Sequence, residues 1–105
     1  MSLSTHVLDA TTGRPASGVM VRLTVDGNDL AAGTTDADGR VGTLGGELTA
    51  GIYRLHFDTG GYFTRQGVRG FYPEVTITFE VTDASVHHHV PLLLSPYAYS
   101  TYRGS

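Results

Sequence analysis

From Val19 to Val25 every second residue is aliphatic: Val19, Val21, Leu23 and Val25. A period of two puts those side chains on one face of an extended strand and their neighbours on the other, so the segment reads as a strand with one buried face. Extended segments are expected also at 3–9, 30–35, 51–57, 75–81, 86–94 and 97–102. Turn chemistry separates them: Thr11-Thr12-Gly13-Arg14-Pro15 as a loop, then Asp26-Gly27-Asn28, Asp36-Ala37-Asp38-Gly39, Thr82-Asp83-Ala84-Ser85 and Ser95-Pro96. Only 58–67 breaks the rhythm, with Tyr62, Phe63 and Gln66 set between glycines, and a short helix is expected there. Many short strands at regular spacing predict an all-β sandwich or barrel. A chain of 105 residues suits one domain spanning 1–105.

Composition narrows the chemistry. There is no cysteine, which removes disulfides, thiolate nucleophiles and most structural zinc sites. All seven basic side chains are arginine, so lysine Schiff-base chemistry is excluded. The formal charge is −3 and no basic patch stands out, which argues against a nucleic-acid partner. No apolar run approaches the ~20 residues of a membrane span. The opening Met1-Ser2-Leu3-Ser4-Thr5-His6 has neither a basic nor an apolar leader region. A soluble cytoplasmic protein is expected, or a periplasmic one if a native leader precedes this sequence.

The titratable groups worth weighing are few. In a strand, His87 and His89 point one way and His88 the other, and His89 shares its face with Pro91 and Leu93. These imidazoles have three readings: packed or solvated side chains, ligands of a metal with a third partner such as His6, or an acid–base group titrating near neutral pH. His6 lies in the first strand, with Ser4 and Leu8 on its face and Thr5, Val7 and Asp9 on the other. Arg40 follows the Asp-Ala-Asp-Gly turn, where most arginines are merely solvated. The tail, from Tyr97 to Ser105, is rich in tyrosine and stops abruptly, which reads either as an edge strand or as the wall of a site.

Ser4-Thr5-His6-Val7-Leu8-Asp9, Gly13-Arg14-Pro15-Ala16, Thr35-Asp36-Ala37-Asp38-Gly39-Arg40, His87-His88-His89-Val90-Pro91-Leu92-Leu93-Leu94-Ser95-Pro96 and the terminal Tyr102-Arg103-Gly104-Ser105 together resemble the 5-hydroxyisourate hydrolase branch of the transthyretin-like family. The similarity runs over essentially the whole chain. The terminal Tyr-Arg-Gly-Ser is its most specific part, because the hormone-carrying transthyretins lack it. His88 departs from the common pattern, where tyrosine is frequent, and Thr5 stands at a variable position. Strand alternation turns His88 away from His89, so little effect on chemistry is expected.

The resemblance implies a transthyretin-like (prealbumin-like) sandwich of two four-stranded sheets with one short helix. It implies a homotetramer with active sites where dimers meet, a small-molecule substrate, and neither metal nor cofactor. It places the catalytic set on His6, Arg40 and His89 and substrate-binding residues on Tyr102, Arg103, Gly104 and Ser105. The implied reaction opens the six-membered ring of 5-hydroxyisourate, giving 2-oxo-4-hydroxy-4-carboxy-5-ureidoimidazoline. His6 or His89 would take the proton of water, and Arg40 would hold ring oxygens and stabilise developing negative charge. The rivals are a non-catalytic carrier of a small aromatic ligand and a structural or metal-binding sandwich.

Overall fold

The computed structural model describes residues 2–104. Its elements are β1 (Leu3–Asp9), β2 (Arg14–Pro15), β3 (Met20–Val25), β4 (Asn28–Thr34), β5 (Arg40–Leu44), β6 (Gly51–Phe57), α1 (Thr59–Arg65), β7 (Val75–Val81), β8 (His88–Ser95) and β9 (Ala98–Thr101). Alternation in the sequence becomes alternation in burial. In β1, Leu3, Thr5, Val7 and Asp9 are buried, while Ser4, His6 and Leu8 are half-buried on the other face. In β6, Tyr53, Leu55 and Phe57 go inward.

One sheet has the order β4-β3-β6-β7, antiparallel throughout. The other runs β1-β8-β9, with β2 and β5 both added to the free edge of β1. β2 pairs with Leu8 and Asp9, while β5 pairs with Leu3, Thr5 and His6. Two strands share one edge in succession, so the expected four-stranded width is built from five strands. The sheets face each other across Leu3, Val7, Leu92 and Leu94 on one side and Val21, Leu23, Leu55 and Phe57 on the other, all fully buried. Burying each such side chain stabilises the fold by roughly 1.5–3 kcal/mol.

Two segments differ from the sequence reading. Pro15 and Arg14 form a two-residue strand where a loop is expected. Arg40 does not sit in a solvated turn but opens β5, a strand the sequence hides because Gly42 interrupts it and only Leu44 is buried. Other boundaries move by one to two residues; β8, for instance, begins at His88 rather than Val86. The turn at Asp26-Gly27 holds both residues at positive φ, 51° and 77°, the signature of a two-residue hairpin turn that follows strand twist.

The helix falls inside the expected 58–67. Asp58 caps it, its carboxylate accepting the Gly61 N–H at 3.0 Å. Tyr62 and Phe63 are its buried face. The Tyr62 hydroxyl donates to Asp9 Oδ2 at 2.8 Å, and Asp9 Oδ1 accepts the N–H groups of Thr11 and Thr12 at 3.0 and 3.3 Å. This contact ties the helix to the end of β1. Burial, reinforced by the Asp9 carboxylate, pushes the Tyr62 phenol up to about 12. Among the described residues no helix is long and apolar enough to cross a membrane.

Candidate active site

The site is a consequence of what β1 pairs with. Its parallel register with β8 sets Ser4 beside His89 and His6 beside Pro91. Its antiparallel register with β5 sets His6 opposite Arg40. Directly paired residues share a face, and Ser4 and His6 lie on the face of β1 away from the core. His89 is likewise half-buried, between buried His88 and Val90. Three neighbouring strands therefore present Arg40, His6 with Ser4, and His89 on one side of the sheet. A cleft of about 410 Å³ opens there, lined by Ser4, Thr5, Arg40, Val41, Gly42, His87 and His89. His6 borders it through its pairing with Arg40 and is not itself in that lining.

The turn before β5 delivers Arg40. The Asp36 carboxylate accepts the N–H groups of Asp38 and Arg40 at 2.9 and 3.0 Å, and the Asp36 N–H donates to the Arg40 carbonyl at 3.0 Å. Gly39 has φ +73°, and a Cβ there would collide with the Val7 carbonyl oxygen, so only glycine fits. Among the described residues the one ion pair is Arg22–Asp29, on the other sheet, so no carboxylate of these residues pairs with the Arg40 guanidinium.

His89 is held at one nitrogen. Its Nδ1 is 2.7 Å from Ser4 Oγ, which also lies 2.8 Å from His87 Nε2, and His87 Nδ1 is 3.1 Å from Ser2 Oγ. His89 Nε2 has no hydrogen-bond partner among the described residues. Burial depresses the His89 pKa below its ordinary value, and Arg40, His6 and His87 add to this as positive neighbours. The imidazole is therefore favoured in its neutral form. A neutral imidazole beside a guanidinium can take a proton from water while the cation holds developing negative charge.

The tail divides. The Gly104 N–H donates to the His89 carbonyl at 2.9 Å, and the Gly104 α-carbon lies so close to His89 Cδ2 that a Cβ would overlap the ring. Tyr102 and Arg103 line a second groove, about 330 Å³, which they share with Ile77, Phe79, Glu80 and His89. They flank His89 on a side different from the Arg40 cleft. Ser105 lies outside the described residues. His88 is buried, its Nδ1 3.0 Å from the Val86 carbonyl, and faces away from His89.

Ser4 and Asp36 are the residues that sequence reasoning missed. The signal for Ser4 was its phase with His6, two residues apart on one face. A larger cleft, about 620 Å³, lies on the outer face of the other sheet and includes His56. Both His56 nitrogens are engaged, Nε2 with Thr24 Oγ1 at 2.8 Å and Nδ1 with Thr76 Oγ1 at 3.2 Å, so it offers no free base.

Comparison with known proteins bears on this arrangement. The model of the HIUase/transthyretin family matches residues 3–104. A 5-hydroxyisourate hydrolase of Caulobacter vibrioides is 48% identical over 112 residues, covering 98% of this chain and 97% of the relative. The structure of Klebsiella pneumoniae 5-hydroxyisourate hydrolase superposes with a TM-score of 0.94 at 43% identity, covering 100% of both chains. Sea bream transthyretin in complex with thyroxine superposes with a TM-score of 0.88 at 34% identity, covering 99% of this chain and 95% of that one. With a family model matched across nearly its full length and relatives similar from end to end, this chain belongs to the HIUase/transthyretin family.

Proposed function

We propose that the chain hydrolyses 5-hydroxyisourate to 2-oxo-4-hydroxy-4-carboxy-5-ureidoimidazoline, a step of urate breakdown. The observation that carries the reading is the half-buried His89 imidazole, favoured neutral, beside the Arg40 guanidinium, which has no ion-pair partner among the described residues, on one open face. Relatives named for this activity support it. His89 Nε2 takes a proton from water, the resulting hydroxide adds to a ring carbonyl, and Arg40 stabilises the oxyanion. Collapse breaks the ring C–N bond, and the leaving nitrogen takes the proton back from His89. Arg40 also grips the flat, oxygen-rich ring with its planar fork of donors. His6, opposite Arg40, orients the ring or water. Gly104 shapes the pocket through its contact with His89, and Tyr102 and Arg103 bound His89 from the neighbouring groove.

The face formed by β5, β1 and β8 is shallow in one chain. A homotetramer in which dimers meet over this face would enclose it and place the sites in a shared channel; light scattering tests that assembly. The catalytic test is absorbance decay of 5-hydroxyisourate freshly generated by urate oxidase. Acceleration is expected, retained after exhaustive EDTA treatment. His89→Asn and His6→Asn should each cut turnover strongly with the fold intact; near-normal rates in both would overturn the acid–base assignment. The second reading is a non-catalytic carrier, favoured by the likeness to the thyroxine complex of sea bream transthyretin. A carrier would leave the decay unaccelerated.

A further inference from the structure

We infer that Ser4 and His87 are positioning residues that fix the tautomer of His89, through a hydrogen-bonded run from His89 to Ser4, His87 and Ser2. The inference rests on the reading of His89 as the base and goes beyond it to what makes one nitrogen of the ring basic.

The run is continuous: His89 Nδ1 to Ser4 Oγ at 2.7 Å, Ser4 Oγ to His87 Nε2 at 2.8 Å, His87 Nδ1 to Ser2 Oγ at 3.1 Å. It is also dictated by the fold. The parallel register of β1 with β8 sets Ser4 beside His89, and His87 precedes that residue by two. A serine hydroxyl has a single proton to give, and a neutral imidazole has a single N–H and a single lone pair in its plane. Ser4 Oγ also has two lone pairs, so it can accept from both rings but cannot donate to both: at least one of His89 Nδ1 and His87 Nε2 carries a proton. In one arrangement His89 Nδ1–H donates to Ser4. His89 then presents its lone pair at Nε2. In the other arrangement His89 carries its proton at Nε2 and has no lone pair for water.

The charge beside His89 chooses between the two. Arg40 on β5 acts on His89 as a positive neighbour and lines the same cleft, while Ser4 occupies Nδ1 and leaves Nε2 as the ring's free nitrogen. An Nε2–H would turn the positive end of its dipole into that field, whereas a lone pair there meets it favourably. The first arrangement is thus the one this site holds. When Nε2 takes a proton, the Nδ1 proton stays on His89, and Ser4, itself anchored by His87, accepts a hydrogen bond from the cationic ring. A charged donor strengthens that bond.

The test is spectroscopic first. Two-bond ¹H–¹⁵N correlation spectra of the ¹⁵N-labelled protein, at a pH where His89 is neutral, should show His89 as the Nδ1–H tautomer. A dominant Nε2–H form of His89 overturns the proposal. Ser4→Ala should abolish the single tautomer and lower kcat about tenfold or more at nearly constant KM, with Ser4→Thr restoring both. Fixing a base histidine in the wrong tautomer sets the upper range of such losses, about 10⁴-fold. His87→Ala, at an exposed position, should act in the same direction more weakly, and the double variant should be no slower than Ser4→Ala alone because both act through the same proton. Retention of the Nδ1–H tautomer in both single variants, or losses that multiply in the double variant, would overturn it. The spectra need no substrate, so a wild-type protein that fails to open 5-hydroxyisourate would refute the proposed function while leaving the tautomer result to stand or fall by itself.

Discussion

The Gly104 N–H donates to the His89 carbonyl at 2.9 Å while the Gly104 α-carbon packs against the edge of the His89 ring. The contact continues the β8–β9 register past the end of the strand, since the pairing that joins Leu92 to Thr101 reaches Gly104 opposite His89. The tail therefore braces the imidazole from the side opposite its own strand neighbour on β1.

Gly104→Ala places a methyl group where the ring now lies. The ring is the movable partner, so activity rather than the core should suffer. Misplacement of a reacting group by about 1 Å can cost roughly 10²-fold, and a kcat loss of that order with little change in Tm is expected. Deletion of 102–105 should likewise damage activity more than stability. Wild-type turnover in Gly104→Ala would remove the bracing role.

His89 should set the acid limb of the kcat/KM profile below pH 6.5, its ordinary value, because burial and then Arg40 depress it. The same shift contributes to stability. Between the folded pKa and 6.5 the unfolded chain binds more protons, so this contribution is complete above 6.5 and is lost as pH falls through the folded value. Arg40→Gln removes one of the causes and should move the His89 titration, followed by NMR, upward. A downward or absent shift would contradict the electrostatic account.

Tyr62→Phe deletes a buried hydroxyl and leaves Asp9 Oδ2 without its 2.8 Å donor. A loss of about 1–3 kcal/mol is expected in denaturant melts, with kcat unchanged because the contact lies at the far end of β1 from Ser4. The wild type should also lose stability as pH rises from 10 to about 12, since the folded phenol stays protonated where the unfolded one ionises. Tyr62→Phe should flatten that alkaline decline.

His88→Tyr should keep kcat within about twofold, because His88 is buried beside the groove of Tyr102 and Arg103 and does not line the Arg40 cleft. Its cost is the donor to the Val86 carbonyl, about 1 kcal/mol. A tenfold fall in kcat at unchanged Tm would place residue 88 in the chemistry.

The strands whose inner faces are aliphatic, such as those carrying Val21 and Leu23 or Leu55 and Phe57, were legible because alternation reports a half-buried extended chain. The segment starting at Arg40 was not, since Gly42 and a single buried leucine leave no period to read. Alternation also correctly separated His88 from His89. It says nothing about which strand lies beside which. The parallel union of β1 with β8 joins residues 85 apart in sequence, so the meeting of Ser4 with His89 could only come from the fold. The family resemblance supplied His6, Arg40 and His89 as a set, and the structure brings them to adjacent strands. It places Tyr102 and Arg103 on a neighbouring groove instead of in the Arg40 cleft.

Alternate residues of β1 serve two masters: Leu3, Thr5 and Val7 fill the interior, while Ser4 and His6 face the site. A single-residue insertion or deletion within 3–7 would exchange these two sets, sending serine and histidine into the core and aliphatic side chains onto the cleft. This segment can therefore evolve by substitution but not by changes in length, and the spacing between its residues is as much a part of the proposed catalyst as their identities.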